Sequence, residues 1–197
     1  MTFFDFINKY DVPGSIVLLE GKRDVKKDDQ PLLTELGHKL ASSTKHMIFR
    51  SGNATGADQF FSTGVFHVDP DRLQVITPYT SHRNKGNAVY TSIPLDDVNL
   101  MQEPGVVYQS KHNKKTANLI DKYVAGARDR FSIKAAYIIR DTVKAIGTTD
   151  IPPANFGIFY DDLSNPMQGG TGHTMDVCKK NGIPVINQSI WFGWLSE

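Results

Sequence analysis

The feature that most restricts the fold is a recurring unit: a short apolar run, a polar or glycine-rich turn, then apolar residues at helical spacing. Ser15 to Glu20 (SIVLLE) runs without polar alternation and closes on Gly21, the pattern of a strand buried on both faces of a parallel sheet. Behind Pro31, which suits a first helical turn, Leu33, Leu36 and Leu40 predict the first helix. His46 to Arg50 predicts a second strand, and Ser51 to Asp58 turns the chain into a helix with Ala57, Phe60, Phe61 and Val65 facing inward. Leu73 to Thr77 is a third strand, stopped by Pro78, and Asn155 to Tyr160 a fourth, stopped by Asp161 and Asp162. A fifth, Ile183 to Asn187, follows a short helix that begins near Thr171 and ends at Asn181-Gly182. This alternation predicts the α/β class: a Rossmann-like, doubly wound, mostly parallel sheet of five or more strands with helices on both faces, in a single domain.

One excursion, Tyr79 to Pro153, interrupts the alternation. It reads as irregular to about Asn113 and then as two helices covering one face of the sheet. The first runs through Ala117, Ile120, Val124 and Ala127, the second through Ile133, Ala136, Tyr137, Val143 and Ile146 to Gly147. The closing Trp191-Phe192-Gly193-Trp194 is expected to pack against the sheet edge.

Composition narrows the function classes. A chain of 197 residues, 40% hydrophobic, can bury a core of one-domain size. Lys and Arg number 22 against 21 Asp and Glu, so the net charge of +1 provides no general attraction to polyanions, and nucleic acid is disfavoured as a partner. Cys178 is the single cysteine, which excludes an internal disulfide and a multi-thiolate zinc site and suits a reducing cytoplasm. The N-terminal segment forms no signal-peptide core and the apolar runs are too short to cross a bilayer, so export and membrane partners are not expected. No Cys/His metal spacing, GxSxG or complete Walker sequence occurs, so neither a metal nor a cofactor is expected.

Right-handed crossovers would bring every strand-to-helix turn to one edge of the sheet, where open α/β sheets bind ligands. Three turns meet there: Gly21-Lys22-Arg23, Ser51 to Asp58, and Asp161 to Thr174. The last contains Gly169-Gly170-Thr171-Gly172-His173-Thr174 at the opening of a helix. Glycines let backbone amides approach an oxyanion, and the helix dipole favours negative charge, so phosphate is the natural occupant. A second turn, with Ser51, Gly52, Asn53, Gly56 and Asp58, adds donors and a carboxylate suited to a sugar or a second phosphate. Plainer roles stand beside these: Thr171 as a helix cap, Asp58 as a first-turn carboxylate, Arg23 as a solvated cation rather than a phosphate clamp, and His173 as an exposed side chain. Lys111, Lys114 and Lys115 with His112 could meet a nucleic-acid backbone, but lack the interleaved aromatics of single-strand binders.

The turn ending in Gly56-Ala57-Asp58 and the later Gly169-to-Thr174 turn resemble, in type and order, those of the SLOG superfamily. That Rossmann-like group includes the lonely-guy phosphoribohydrolases, the DNA-processing protein A family and many phage and bacterial proteins. The likeness covers the strands near 15 to 77 and the end from about 155 to 187. In the hydrolase branch a Pro-Gly-Gly-x-Gly-Thr-x-x-Glu pattern carries the catalytic Glu. Here Gln168 stands at the Pro, His173 at the Thr and Asp176 at the Glu, a carboxylate one methylene shorter. The resemblance implies a module that senses or sequesters a nucleotide or nucleoside-derived ligand, with homo-oligomers formed through surface helices. Its alternatives are N-glycosidic hydrolysis using Asp176 with Arg23 as anchor, and single-stranded DNA binding.

Overall fold

The computed structural model describes residues 1–80, 82 and 90–197. Its centre is a six-stranded sheet in the order β4-β3-β2-β1-β5-β6, with every neighbouring pair parallel. The strands are β1 (Ile16–Gly21), β2 (Ile48–Ser51), β3 (Leu73–Thr77), β4 (Thr91–Pro94), β5 (Phe156–Tyr160) and β6 (Val185–Asn187). From β1 the chain steps outward to β4, then returns to the other side of β1 for β5 and β6. The order therefore reverses between β1 and β5, and the crevice of a doubly wound sheet opens at their carboxyl ends.

Among the described residues eight α-helices cover the two faces: α1 (Phe3–Tyr10), α2 (Gln30–Ser43), α3 (Ala57–Phe66), α4 (Pro104–Ser110), α5 (Lys114–Val124), α6 (Ser132–Ile146), α7 (Gly169–Lys180) and α8 (Gln188–Trp194). Successive strand residues point to opposite faces, so Val17 and Leu19 join the core under α1, α2, α3 and α8, while Ile16 and Leu18 join the one under α6 and α7. Ile139 and Val143 of α6 pack with Ile76 of β3 and Ile120 of α5, which makes α6 the wall between the sheet and the outer helices. Glu20 has the parity of Ile16 and Leu18, and so faces α6.

The reading of the sequence anticipates β1, β2, β3, β5 and β6 to within two residues, and the class of fold. Four elements differ. α1 is held by a capping box between Thr2 and Asp5, and buries Phe3, Phe6 and Tyr10. β4 and α4 occupy part of the stretch expected to be irregular; another part of that expectation, at 81 and 83–89, lies outside the described residues. The aromatic tail lies deeper than the sheet edge: Trp191 and Trp194 are buried, the Trp191 indole donates to the Phe159 carbonyl at 2.9 Å, and the Trp194 and Phe6 rings lie 5.0 Å apart.

Candidate functional site

At the carboxyl end of β1 a cavity of about 380 Å³ opens between α6 and the start of α7, with Glu20, Asp141 and Lys144 among its floor residues. Lys22 and Arg23 line it, as does the segment from Gln168 to Thr171. An outer cavity of about 500 Å³ adjoins it, sharing Lys134, Ile138, Asp141, Gln168, Gly169 and Gly170, and reaches His112, His173, Asp176 and Lys180.

The floor holds buried charge. Lys144 Nζ lies 2.7 Å from Glu20 Oε2 and 2.8 Å from Asp141 Oδ1, and Arg140 Nη2 lies 2.6 Å from the same Asp141 oxygen. Arg140 Nη1 donates to the Gly52 carbonyl at 2.8 Å. A Cβ on Gly52 would stand 2.8 Å from Lys144 Nζ and 3.0 Å from Arg140 Cζ, so only glycine lets these cations pass beneath the turn. Arg50, also buried, donates to the Lys144 and Pro152 carbonyls at 2.9 Å each. Glu20, Asp58 and Asp141 are thus answered by Arg50, Arg140 and Lys144, the balance that burial of ions requires. The groups do not respond alike. Burial, with Asp58 and Asp141 nearby, pushes the Glu20 carboxyl up to about 7 against the pull of Lys144. Burial would raise Asp141 as well, but Arg140 and Lys144 together hold it below the usual carboxylate value.

The Ser51 to Asp58 turn meets the same crevice, but the N–H groups of Gly52 and Ala54 are already used within the turn. Asp58 is buried: its Oδ1 accepts the Gly21 N–H at 3.2 Å, and its Oδ2 accepts those of Gly52 at 3.2 Å and Ala54 at 3.3 Å. Its carboxylate therefore staples the turn after β1 to the turn after β2, a structural role at the lining of the inner cavity. Ser51 closes β2 as a buried residue, Asn53 adopts a left-handed backbone with φ 54°, and Gly56 precedes α3 with φ 91°.

The opening of α7 is different. The N–H groups of Gly169, Gly170 and Thr171 have no acceptor among the described residues, and the helical ladder begins with Gly172 N–H donating to the Gln168 carbonyl at 3.0 Å. A Cβ on Gly172 would come within 1.8 Å of the Met167 carbonyl oxygen, so this glycine lets the incoming loop fold beneath the helix. Thr174 points away from the cleft, buried, its hydroxyl donating to the Gly170 carbonyl at 3.1 Å. His173 Nε2 lies 3.0 Å from Thr142 Oγ1, and burial lowers its pKa, so it is neutral at pH 7 and brings no cation. Asp176 sits in the outer cavity, 2.7 Å from Lys180. Arg23 is exposed at the inner rim, and Lys134 is exposed between the two cavities.

Of the basic cluster, Lys111 pairs with Asp121, His112 reaches the outer cavity, and Lys114 and Lys115 line neither cavity. Sequence reasoning missed Glu20, Arg140, Asp141 and Lys144. Glu20 enters the sequence reading only as the end of a strand, and the other three fall between the apolar positions that mark the second helix of the excursion. The available signal was a carboxylate closing an otherwise apolar strand at the crevice.

Among the described residues, no helix is long and apolar enough to cross a membrane, and no group of three or more His, Cys, Asp or Glu is placed to hold a metal ion.

No family model and no curated protein matches the sequence. Two similar solved structures are of DNA processing protein A. The one from Helicobacter pylori, described for its unique single-stranded DNA binding mode, shares 13% identity at a TM-score of 0.46 over 91% of this chain and 67% of its own. The one from Streptococcus pneumoniae shares 13% identity at a TM-score of 0.47 over 91% of this chain and 51% of its own. The chain thus spans about half the length of the pneumococcal protein. The likeness concerns the Rossmann-like fold. One expectation is corrected: nucleic acid was disfavoured as a partner, whereas the similar structures are of a DNA-processing protein, one of them described by the single strand it binds. The physical reason is that a net charge of +1 is a whole-chain sum, blind to a local row of cations.

Proposed function

We propose that the cleft binds a phosphate-bearing nucleotide, the phosphate resting on the N–H groups of Gly169, Gly170 and Thr171, with Lys134 and Arg23 as nearby cations. The observation that carries this reading is the three successive amides without an acceptor at the start of a 12-residue helix, on the wall of a cavity of ligand size. Asp141 at this wall does not forbid an anion, because Arg140 and Lys144 neutralise it. A sensing or sequestering role fits better than hydrolysis, since Asp176 is engaged by Lys180.

Single-stranded DNA is the second reading. It is favoured by the continuity of the two cavities, whose walls carry Lys22, Arg23, Lys134 and Lys180 along one groove. Titration calorimetry with nucleoside monophosphates and with an oligothymidylate at low and high salt separates the two. The first reading predicts one saturable site for a mononucleotide. The second predicts tight, strongly salt-dependent binding of the oligonucleotide alone. Absence of both would refute both.

A further inference from the structure

We propose that the floor of the inner cavity is a hydroxyl-recognising subsite, where Glu20 Oε1 accepts a hydrogen bond from the ribose of the bound nucleotide, with Asp141 Oδ2 beside it. The ligand is then a ribonucleotide rather than a deoxyribonucleotide. This inference rests on the nucleotide reading above.

Glu20 is only 3% exposed, yet it lines the cavity. Its Oε2 is fixed by Lys144 at 2.7 Å, whereas its Oε1 has no hydrogen-bond partner among the described residues. A buried carboxylate oxygen without a donor is costly, and most such oxygens in folded proteins are satisfied. A donor brought by the ligand removes that cost. The oxygen is also held in place: the Gly21 N–H that follows Glu20 is anchored by Asp58, and the Lys144 ion pair restrains the carboxylate itself. Asp141 spends its Oδ1 on Arg140 and Lys144, while a Cβ on Gly170 would stand 3.1 Å from its Oδ2, which places that oxygen at the amide-lined wall.

The cavity therefore has two chemically distinct ends. At one, free N–H groups suit an anion. At the other, the unpartnered Glu20 Oε1 suits a neutral donor, and a sugar hydroxyl is a neutral donor that every ribonucleotide carries.

The test is calorimetric titration of the wild-type chain with adenosine, guanosine, cytidine and uridine 5′-monophosphates and with their 2′-deoxy and 3′-deoxy forms. For the base that binds, removal of one of the two hydroxyls is expected to weaken affinity by about tenfold or more, because it leaves the carboxylate unpaired. Glu20→Gln should reduce that ratio to about twofold. Should Glu20→Gln not fold, the wild-type ratios decide alone. Equal affinity for all three forms would overturn the subsite and leave the phosphate reading standing. Failure of every nucleotide to bind would overturn both.

Discussion

Lys144 Nζ stands 2.7 Å from Glu20 Oε2 with both side chains out of water, joining the end of β1 to the helix that walls the cleft. A second contact, 2.8 Å to Asp141 Oδ1, makes Lys144 the shared counter-ion of two buried carboxylates. Lys144→Met would leave Glu20 without its ion-pair partner and Asp141 with Arg140 alone. Loss of one member of a buried pair costs about 3–5 kcal/mol. Urea denaturation followed by circular dichroism should show a fall of that order, and a change below about 1 kcal/mol would mean that the ion pair is not formed in solution.

Glu20 also predicts a pH dependence. Its folded value, about 7, lies above the ordinary 4.5, so the folded chain binds this proton more tightly than the unfolded chain does. The resulting stability is full below about pH 4.5 and is lost as pH rises through about 7. The charged or titratable groups around Glu20 are Arg140, Asp141 and Lys144 of α6, Asp58 of α3, Arg50 of β2 and Cys178 of α7. Asp141 is held low and titrates below this window, and the Cys178 thiol, pushed up to about 12 by burial, titrates above it. Between about pH 5 and pH 8 the wild type should lose up to about 3 kcal/mol relative to Glu20→Gln, at about 1.4 kcal/mol per unit of pKa difference. Parallel profiles for the two proteins would refute this.

Asp58 offers a separate check on the frame of the site. Asp58→Ala removes an acceptor shared by the N–H groups of Gly21, Gly52 and Ala54, and charge-assisted bonds of this kind make the loss about 2–4 kcal/mol. Asp58→Asn keeps one carbonyl oxygen and should lose less. Equal losses from thermal unfolding would show that the carboxylate does not staple the two turns.

Much of the frame was legible in the sequence because β1, β3 and β5 are buried apolar runs, and the Leu33, Leu36, Leu40 spacing of α2 reports a single buried face. β4 was not, since it has four residues, two of them exposed, and ends on a proline. The site was half legible. The glycines at α7 announce a helix opening on the crevice, but Asp58 looked free because nothing local shows that its partners lie at Gly21 and Gly52. The polar floor was hidden for a different reason. α6 is buried at every residue from Ile139 to Ala145, so Arg140, Asp141 and Lys144 lie inside a helix that has no solvated side there. Periodicity reads one buried stripe and cannot report burial all round.

Lys134 separates affinity from stability. It is exposed on α6 and lines both cavities, so Lys134→Ala should leave the unfolding free energy from urea denaturation unchanged within about 0.5 kcal/mol. Nucleotide affinity should drop by about 3–10-fold at low salt, with a smaller drop at high salt because this cation is screened. An affinity unaltered at low salt would place the phosphate away from Lys134.

The most direct test of the account is an amide-resolved NMR titration of the isotope-labelled chain with a nucleoside monophosphate. The account predicts that the N–H signals of Gly169, Gly170 and Thr171 move furthest and saturate together, while those of Gly52 and Ala54, already bonded to Asp58, move little. Saturable shifts that bypass the opening of α7, or no shifts with any nucleotide, would contradict it.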